Sequence, residues 1–178
     1  MLSIEISAAS HPGRVRRNNE DNYLLLNNSS SEKLTSSQNS GGFVIESRKF
    51  EVGDEGIVLA VSDGVGGSLA GEVASRMAVE IVCQRILHNT TEKLVSPDSA
   101  NFSLGEKLYD AIVCAHRSIY RLARNDAQYK GMAATFTGGR YYAAVLRRNP
   151  GRRQPSIFNS GGANLSADER SVARPTVG

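Results

Sequence analysis

The sequence predicts an α+β domain in which strands come first, two antiparallel helices follow, and a disordered C-terminal tail closes the chain. Three observations predict it. Short apolar segments rich in β-branched residues, some alternating with period two, fill the N-terminal third. Two stretches of helical apolar spacing then succeed one another with no strand pattern between them, which argues against an alternating parallel fold. From Arg147 onward come three of the five Pro and four Gly with no sustained apolar period, a composition that buries too little surface to order itself.

Taken in order, Ser3 to Ser7 alternates with Ile4 and Ile6 on one side and predicts a strand. His11 to Arg17 is a polar, basic turn opened by Pro12-Gly13. Tyr23 to Leu26 predicts the second strand. Residues 27–42 are almost all Ser, Asn, Thr, Gln and Gly, which predicts a flexible loop. Phe43 to Phe50 predicts a strand whose charges suggest an edge position. Gly56 to Val61 is a buried strand with Asp63 at its end, and Gly64, Gly66 and Gly67 let the backbone turn sharply into a helix beginning at Ser68.

That helix, running to Leu87, carries Ala70, Val73, Ala74, Met77, Ile81 and Leu87 at helical spacing, with Glu72, Ser75, Arg76, Glu80 and Gln84 on the other face. A loop containing Pro97 spans 89–101. Ser103 and Glu106 then form a capping-box pattern opening a helix striped by Leu108, Ile112, Ala115, Ile119 and Leu122. Residues 131–146 predict a hairpin of two short strands around Gly138-Gly139.

The 178 residues suffice for one domain, here 1–146, with 147–178 as a basic tail. The net charge of +3 resides in that tail, where six Arg face Asp168 and Glu169 for a net of +4, leaving the remainder near −1. The domain therefore has no basic footprint for nucleic acid. No apolar run reaches membrane-spanning length, and the N-terminus lacks a signal-peptide pattern. Cys83 and Cys114 lie far apart in helical patterns and read as free thiols. A cytoplasmic protein fits these features.

Chemistry concentrates in two acidic elements, Glu20-Asp21 before one strand and Asp63 after another. If those strands are neighbours, three carboxylates converge at one end of the sheet. Without a cation they repel one another. Carboxylate and backbone carbonyl oxygens suit Mg²⁺ or Mn²⁺, and such an ion turns a bound water into a nucleophile near neutral pH. Arg16, four residues before Glu20, is suited to hold a phosphate through two hydrogen bonds. Together these are the parts of phosphoester hydrolysis. The plainer alternative is a tight strand-to-helix turn capped by Asp63, with Glu20-Asp21 capping a second turn and Arg16 solvated.

Three blocks resemble the metal-dependent protein Ser/Thr phosphatases of the PPM type, also called PP2C-like. Gly13-Arg-Val-Arg-Arg-Asn-Asn-Glu-Asp-Asn22 is similar to the family's first motif. Val58 to Gly67 is similar to its Asp-Gly-x-Gly-Gly motif, and Gly131-Met-Ala-Ala-Thr135 to its Gly-Met-Gly-Thr-Thr segment. The resemblance runs from Ile4 to Leu146. It implies a partial β-sandwich flanked by the helix pair. It implies also that Asp63 bridges two Mn²⁺ or Mg²⁺ ions, that the Gly64 carbonyl ligates one, that Glu20 and Asp21 bind the metals or their waters, and that Arg16 holds the substrate phosphate. Val65 stands where eukaryotic members often carry a proton-donating His, and His11 is only a weak replacement.

The implied partners are phosphorylated Ser/Thr proteins and a cognate Ser/Thr kinase, with neither nucleic acid nor membrane. The family's later Gly-Asp-Ser-Arg strand and two further metal-binding Asp are not found here, and Gly138-Gly139-Arg140 is no substitute. The expectation is the N-terminal part of a phosphatase domain with low or no activity, its residues 147–178 read in a shifted frame. The other readings are an inactive phosphatase-like binding or regulatory module and a product that does not fold.

Overall fold

The computed structural model describes residues 2–15, 18–36, 44–66, 70–88, 103–141 and 163–165. Its elements are β1 (Leu2–Ser10), β2 (Asp21–Asn27), β3 (Lys33–Thr35), β4 (Val44–Val52), β5 (Ile57–Val65), α1 (Ala70–His88), α2 (Leu104–Asn125), β6 (Ala133–Tyr141) and β7 (Ala163–Leu165), with one 3₁₀ turn at Ala127–Tyr129. The class is α+β, as expected. One sheet has the order β3-β2-β5-β6-β7, a second pairs β1 with β4, and every pairing is antiparallel.

The molecule is layered as helices, five-stranded sheet, two-stranded sheet. α1 lies across β2, β5 and β6, and α2 packs on α1. Small residues on α1 (Ala70, Gly71, Ala74, Ser75, Ala78) let it approach the sheet closely. Leu24, Leu26, Val58, Ala60, Ala134 and Phe136 meet the helices from the sheet side. On the sheet's other face Tyr23 and Leu25 pack with Phe50 of β4 and Ile4, Ile6 and Ala8 of β1. β2 is thus covered on both faces, which is why Tyr23 to Leu26 reads as an unbroken apolar run. β5 alternates instead: Val61 and Val65 are exposed, because the two-stranded sheet stops short of them.

Several local expectations change. β5 does not end before Asp63 but continues to Val65, because Gly64 and Val65 pair with Ala134 and Ala133. The expected hairpin at Gly138-Gly139 is one continuous strand, β6. Gly138 marks close packing rather than a turn: a Cβ there would sit 2.8 Å from the Ala60 Cβ and 3.0 Å from the Leu59 carbonyl oxygen.

The stretch 27–42 is not a loop throughout. Asn27 closes β2 fully buried, its amide donating to the Glu51 carbonyl at 3.0 Å and accepting from Ser29 N–H at 3.1 Å. Lys33–Thr35 then pairs back on β2. Of the tail 147–178 only Ala163–Leu165 lies among the described residues, and it pairs with β6, continuing the sheet by backbone hydrogen bonds. Ser75, expected on the polar face of α1, is fully buried.

The α2 start matches its pattern. Ser103 Oγ accepts from Glu106 N–H at 3.4 Å, and the Glu106 carboxylate accepts from Ser103 N–H at 2.8 Å. Those hydrogen bonds, first from the Ser103 backbone and then from its hydroxyl, hold the Glu106 carboxyl below its ordinary range, and Arg140 adds to the effect. Cys83 is buried, Cys114 partly so, and both are free thiols. Burial pushes the Cys83 thiol up.

Candidate functional site

The two strands that carry the acids are neighbours. In the antiparallel register of β2 and β5, Asp21 is the direct cross-strand partner of Asp63, and both are exposed. Like charges directly opposite each other destabilise a sheet. The register thus sets two carboxylates opposite each other at one end of the sheet. Asp21 is held at its strand start by an Asx turn, in which its N–H donates to Asn19 Oδ1 at 3.1 Å. Asn19 in turn donates to Ser10 Oγ at 2.6 Å, tying the acidic end of β2 to the end of β1.

Glu20 is held by contact with α1. The Gly64 N–H donates to the Glu20 carbonyl at 3.1 Å. Glycine is required at position 64 because a Cβ would lie 2.0 Å from the Gly71 carbonyl oxygen and 2.9 Å from the Glu20 oxygen. Gly71, in the first turn of α1, has the Glu20 carboxylate against it: a Cβ there would meet Glu20 Cδ and Oε1, each at 2.9 Å. A carboxylate over the first turn of a helix is favoured by the helix dipole. Gly66 has φ +146 and lies on Met132, so the glycine bend after Asp63 packs directly on the segment that opens β6.

Thr135 completes the arrangement from β6. Beside Asp63 the β5–β6 ladder is interrupted: Val61 pairs with Thr137 and Gly64 with Ala134, with no pair between. Side chains bridge the gap. Asp63 N–H donates to the Thr135 hydroxyl at 3.1 Å, and the Ser62 hydroxyl donates to the Thr135 carbonyl at 2.7 Å. The resemblance of Gly131–Thr135 to a family segment assigns Thr135 no role. Its signal was a β-branched hydroxyl residue among alanines.

Of the expected site residues, Asp21 and Asp63 come together and Glu20 and Gly64 meet beside them, with the Glu20 carboxylate turned to Gly71. Arg16, Gly67 and Ser68 lie outside the described residues. Among the described residues, no three His, Cys, Asp or Glu side chains gather closely enough to hold a metal ion. The donor set here therefore falls short of a closed cage for Mn²⁺ or Mg²⁺, which take about six oxygens. His11 is an exposed turn residue whose Nδ1 accepts from Gly13 N–H at 2.8 Å. A cleft of about 760 Å³ runs from His11 and β1 past Asp21 and Asp63 to Thr137 and Tyr141 on β6.

No family model matches the chain. No curated protein matches it either. Among solved structures, an arginine-to-glutamate variant of a bacterial serine phosphatase is similar, at 21% identity and a TM-score of 0.45 over 80% of this chain and 49% of that one. The chain spans about half the length of that structure. The likeness concerns the path of the backbone. Among the described residues, no helix is long and apolar enough to cross a membrane.

Proposed function

We propose that this chain is part of a metal-dependent protein Ser/Thr phosphatase domain of the PPM type. The observation that carries the reading is the cross-strand pairing of Asp21 with Asp63, beside a Gly64–Gly71 contact that seats Glu20. In this proposal Asp63 and the Gly64 carbonyl hold Mn²⁺ or Mg²⁺ together with Asp21 and Glu20, and Arg16 binds the phosphate of a phosphoserine or phosphothreonine protein. The protein works in the cytoplasm, opposite a Ser/Thr kinase. Because the carboxylates of the described residues do not close a cage, the chain by itself has little or no turnover.

Titration calorimetry with Mn²⁺ on the chain and on Asp63→Asn tests the site. Binding by the first and none by the second is expected, with an unchanged fold; equal affinities refute the assignment. Robust Mn²⁺-dependent hydrolysis of a phosphothreonine peptide overturns the low-turnover part alone. The incomplete donor set favours one second reading, an inactive phosphatase-like binding module, and phosphopeptide binding without Mn²⁺ dependence would single it out.

A further inference from the structure

Directly beneath the acidic pair, on the helix side of the sheet, lies a buried polar layer that the proposed chemistry does not use. Asn22 follows Asp21, so its side chain points to the opposite face of β2. Its residue is 6% exposed and Ser75 of α1 is 0% exposed. The Ser36 hydroxyl donates to Asn22 Oδ1. Asn22 Nδ2 donates to Ser75 Oγ at 2.8 Å, and the Ser75 hydroxyl donates to the Glu72 carbonyl at 3.2 Å. The three bonds run in one direction, from the end of β3 through β2 into the first turn of α1. With the Asn22 amide in this orientation Ser75 accepts from it and keeps its own proton for the Glu72 carbonyl, and hydrogen bonds chained this way reinforce one another.

The chain of bonds ends on Glu72, the residue after Gly71. Gly71 is in turn the surface on which Glu20 and Gly64 rest. We infer that Asn22 is a positioning residue: through Ser75 it docks the first turn of α1 on the Glu20–Gly64 contact and so sets where the Glu20 carboxylate stands relative to Asp21 and Asp63. An apolar residue would fill the same space at position 22 without fixing the helix along its axis. The sliding direction is open because the neighbouring contacts on α1 are small side chains at four-residue spacing: Ala70, Ala74 and Ala78. The hydrogen bond supplies the directional constraint that packing of such side chains lacks.

The local part of this inference stands without the phosphatase reading; only its consequence for metal rests on that reading. The test uses the full chain with Ser75→Ala and Asn22→Ala, singly and together, followed by amide hydrogen exchange. The Gly64 N–H, bonded to the Glu20 carbonyl, should exchange about tenfold faster in each single variant, while amides at the Asn27–Ile57 end of the same strand pair keep their rates. The double variant should add little to either single one. Uniform acceleration of all amides, or an unchanged Gly64, overturns the inference. Ser75→Ala removes one hydroxyl and keeps the measurement available should Asn22→Ala unfold.

A Mn²⁺ titration forms the second arm, with Ser75→Ala expected to bind about tenfold more weakly than the unaltered chain. Equal affinity in a chain that binds Mn²⁺ overturns the positioning of Glu20. A chain that binds no Mn²⁺ refutes the phosphatase reading instead, and Gly64 exchange then decides the docking inference.

Discussion

Replacing Gly64 by alanine tests the central contact most directly. The added methyl would lie 2.0 Å from the Gly71 carbonyl oxygen and 2.5 Å from its carbon, where ordinary contact begins at 3.4 Å. The carbonyl would have to retreat by about 1.4 Å, and being backbone of α1 it cannot swing aside as a side chain would. Overpacking of this kind costs about 1–3 kcal/mol, and rigid atoms on both sides argue for about 3. At 2–4 °C per kcal/mol, roughly the scale for a chain of this size, the melting midpoint should fall by about 6–12 °C.

Gly71→Ala is the internal comparison. Its methyl meets mainly the Glu20 carboxylate at 2.9 Å, the end of a flexible side chain, and the nearest backbone atom is the Gly64 carbon at 3.0 Å. Replacing a helical glycine also regains up to about 1 kcal/mol of helix propensity. The net cost at position 71 should stay within about 1 kcal/mol while Glu20 is displaced. Urea titrations with an unchanged m-value measure both variants. An unaltered midpoint for Gly64→Ala, or a larger loss at 71 than at 64, would refute the close-approach reasoning.

Thr135→Val keeps the shape of β6 but removes the acceptor for Asp63 N–H; a loss of about 1 kcal/mol in urea unfolding is expected, restored by Thr135→Ser. The Tyr23 hydroxyl donates to the Glu46 carboxylate across the two sheets, and burial followed by that bond and charge raises the phenol above its ordinary value near 10. The folded state therefore holds this proton longer than the unfolded chain. Stability contributed by Tyr23 is intact below about pH 10 and is lost as pH rises beyond it. Tyr23→Phe should flatten that alkaline decline in a pH series of thermal melts. On the outer pair of strands, β4 is guarded by Glu46, Arg48, Lys49 and Glu51, whereas β1 carries Glu5 as its one charge. A lysine at Ser7 should reduce any concentration-dependent self-association seen by light scattering, since charge on an edge opposes strand addition.

Signals that act over a few residues were legible in the sequence. The α2 start was readable because Ser103 and Glu106 satisfy each other's backbone groups within one turn. The juxtaposition of Asp21 with Asp63 was readable only on the condition that their strands be neighbours, which the β2–β5 register meets, whereas the Glu20 carboxylate turns to Gly71 instead of joining them. Features set by contact across the fold were not readable. Gly138-Gly139 looked like a turn because a glycine pair gives no sign of whether it serves bending or close approach to Ala60. Lys33–Thr35 was hidden because its pairing with β2 uses backbone groups, which any side chain permits. Ser75 looked solvent-facing because a hydroxyl's burial depends on finding Asn22, fifty-three positions earlier.

One consequence follows from β2 having apolar side chains on both faces. Leu24 and Leu26 belong to the helix-side core, Tyr23 and Leu25 to the smaller core under β1 and β4. Loss of either covering layer wets the same strand, so the two cores cannot melt independently. The protein should lose its helices and its outer strand pair in a single cooperative step, and circular dichroism and tyrosine fluorescence should trace superimposable curves.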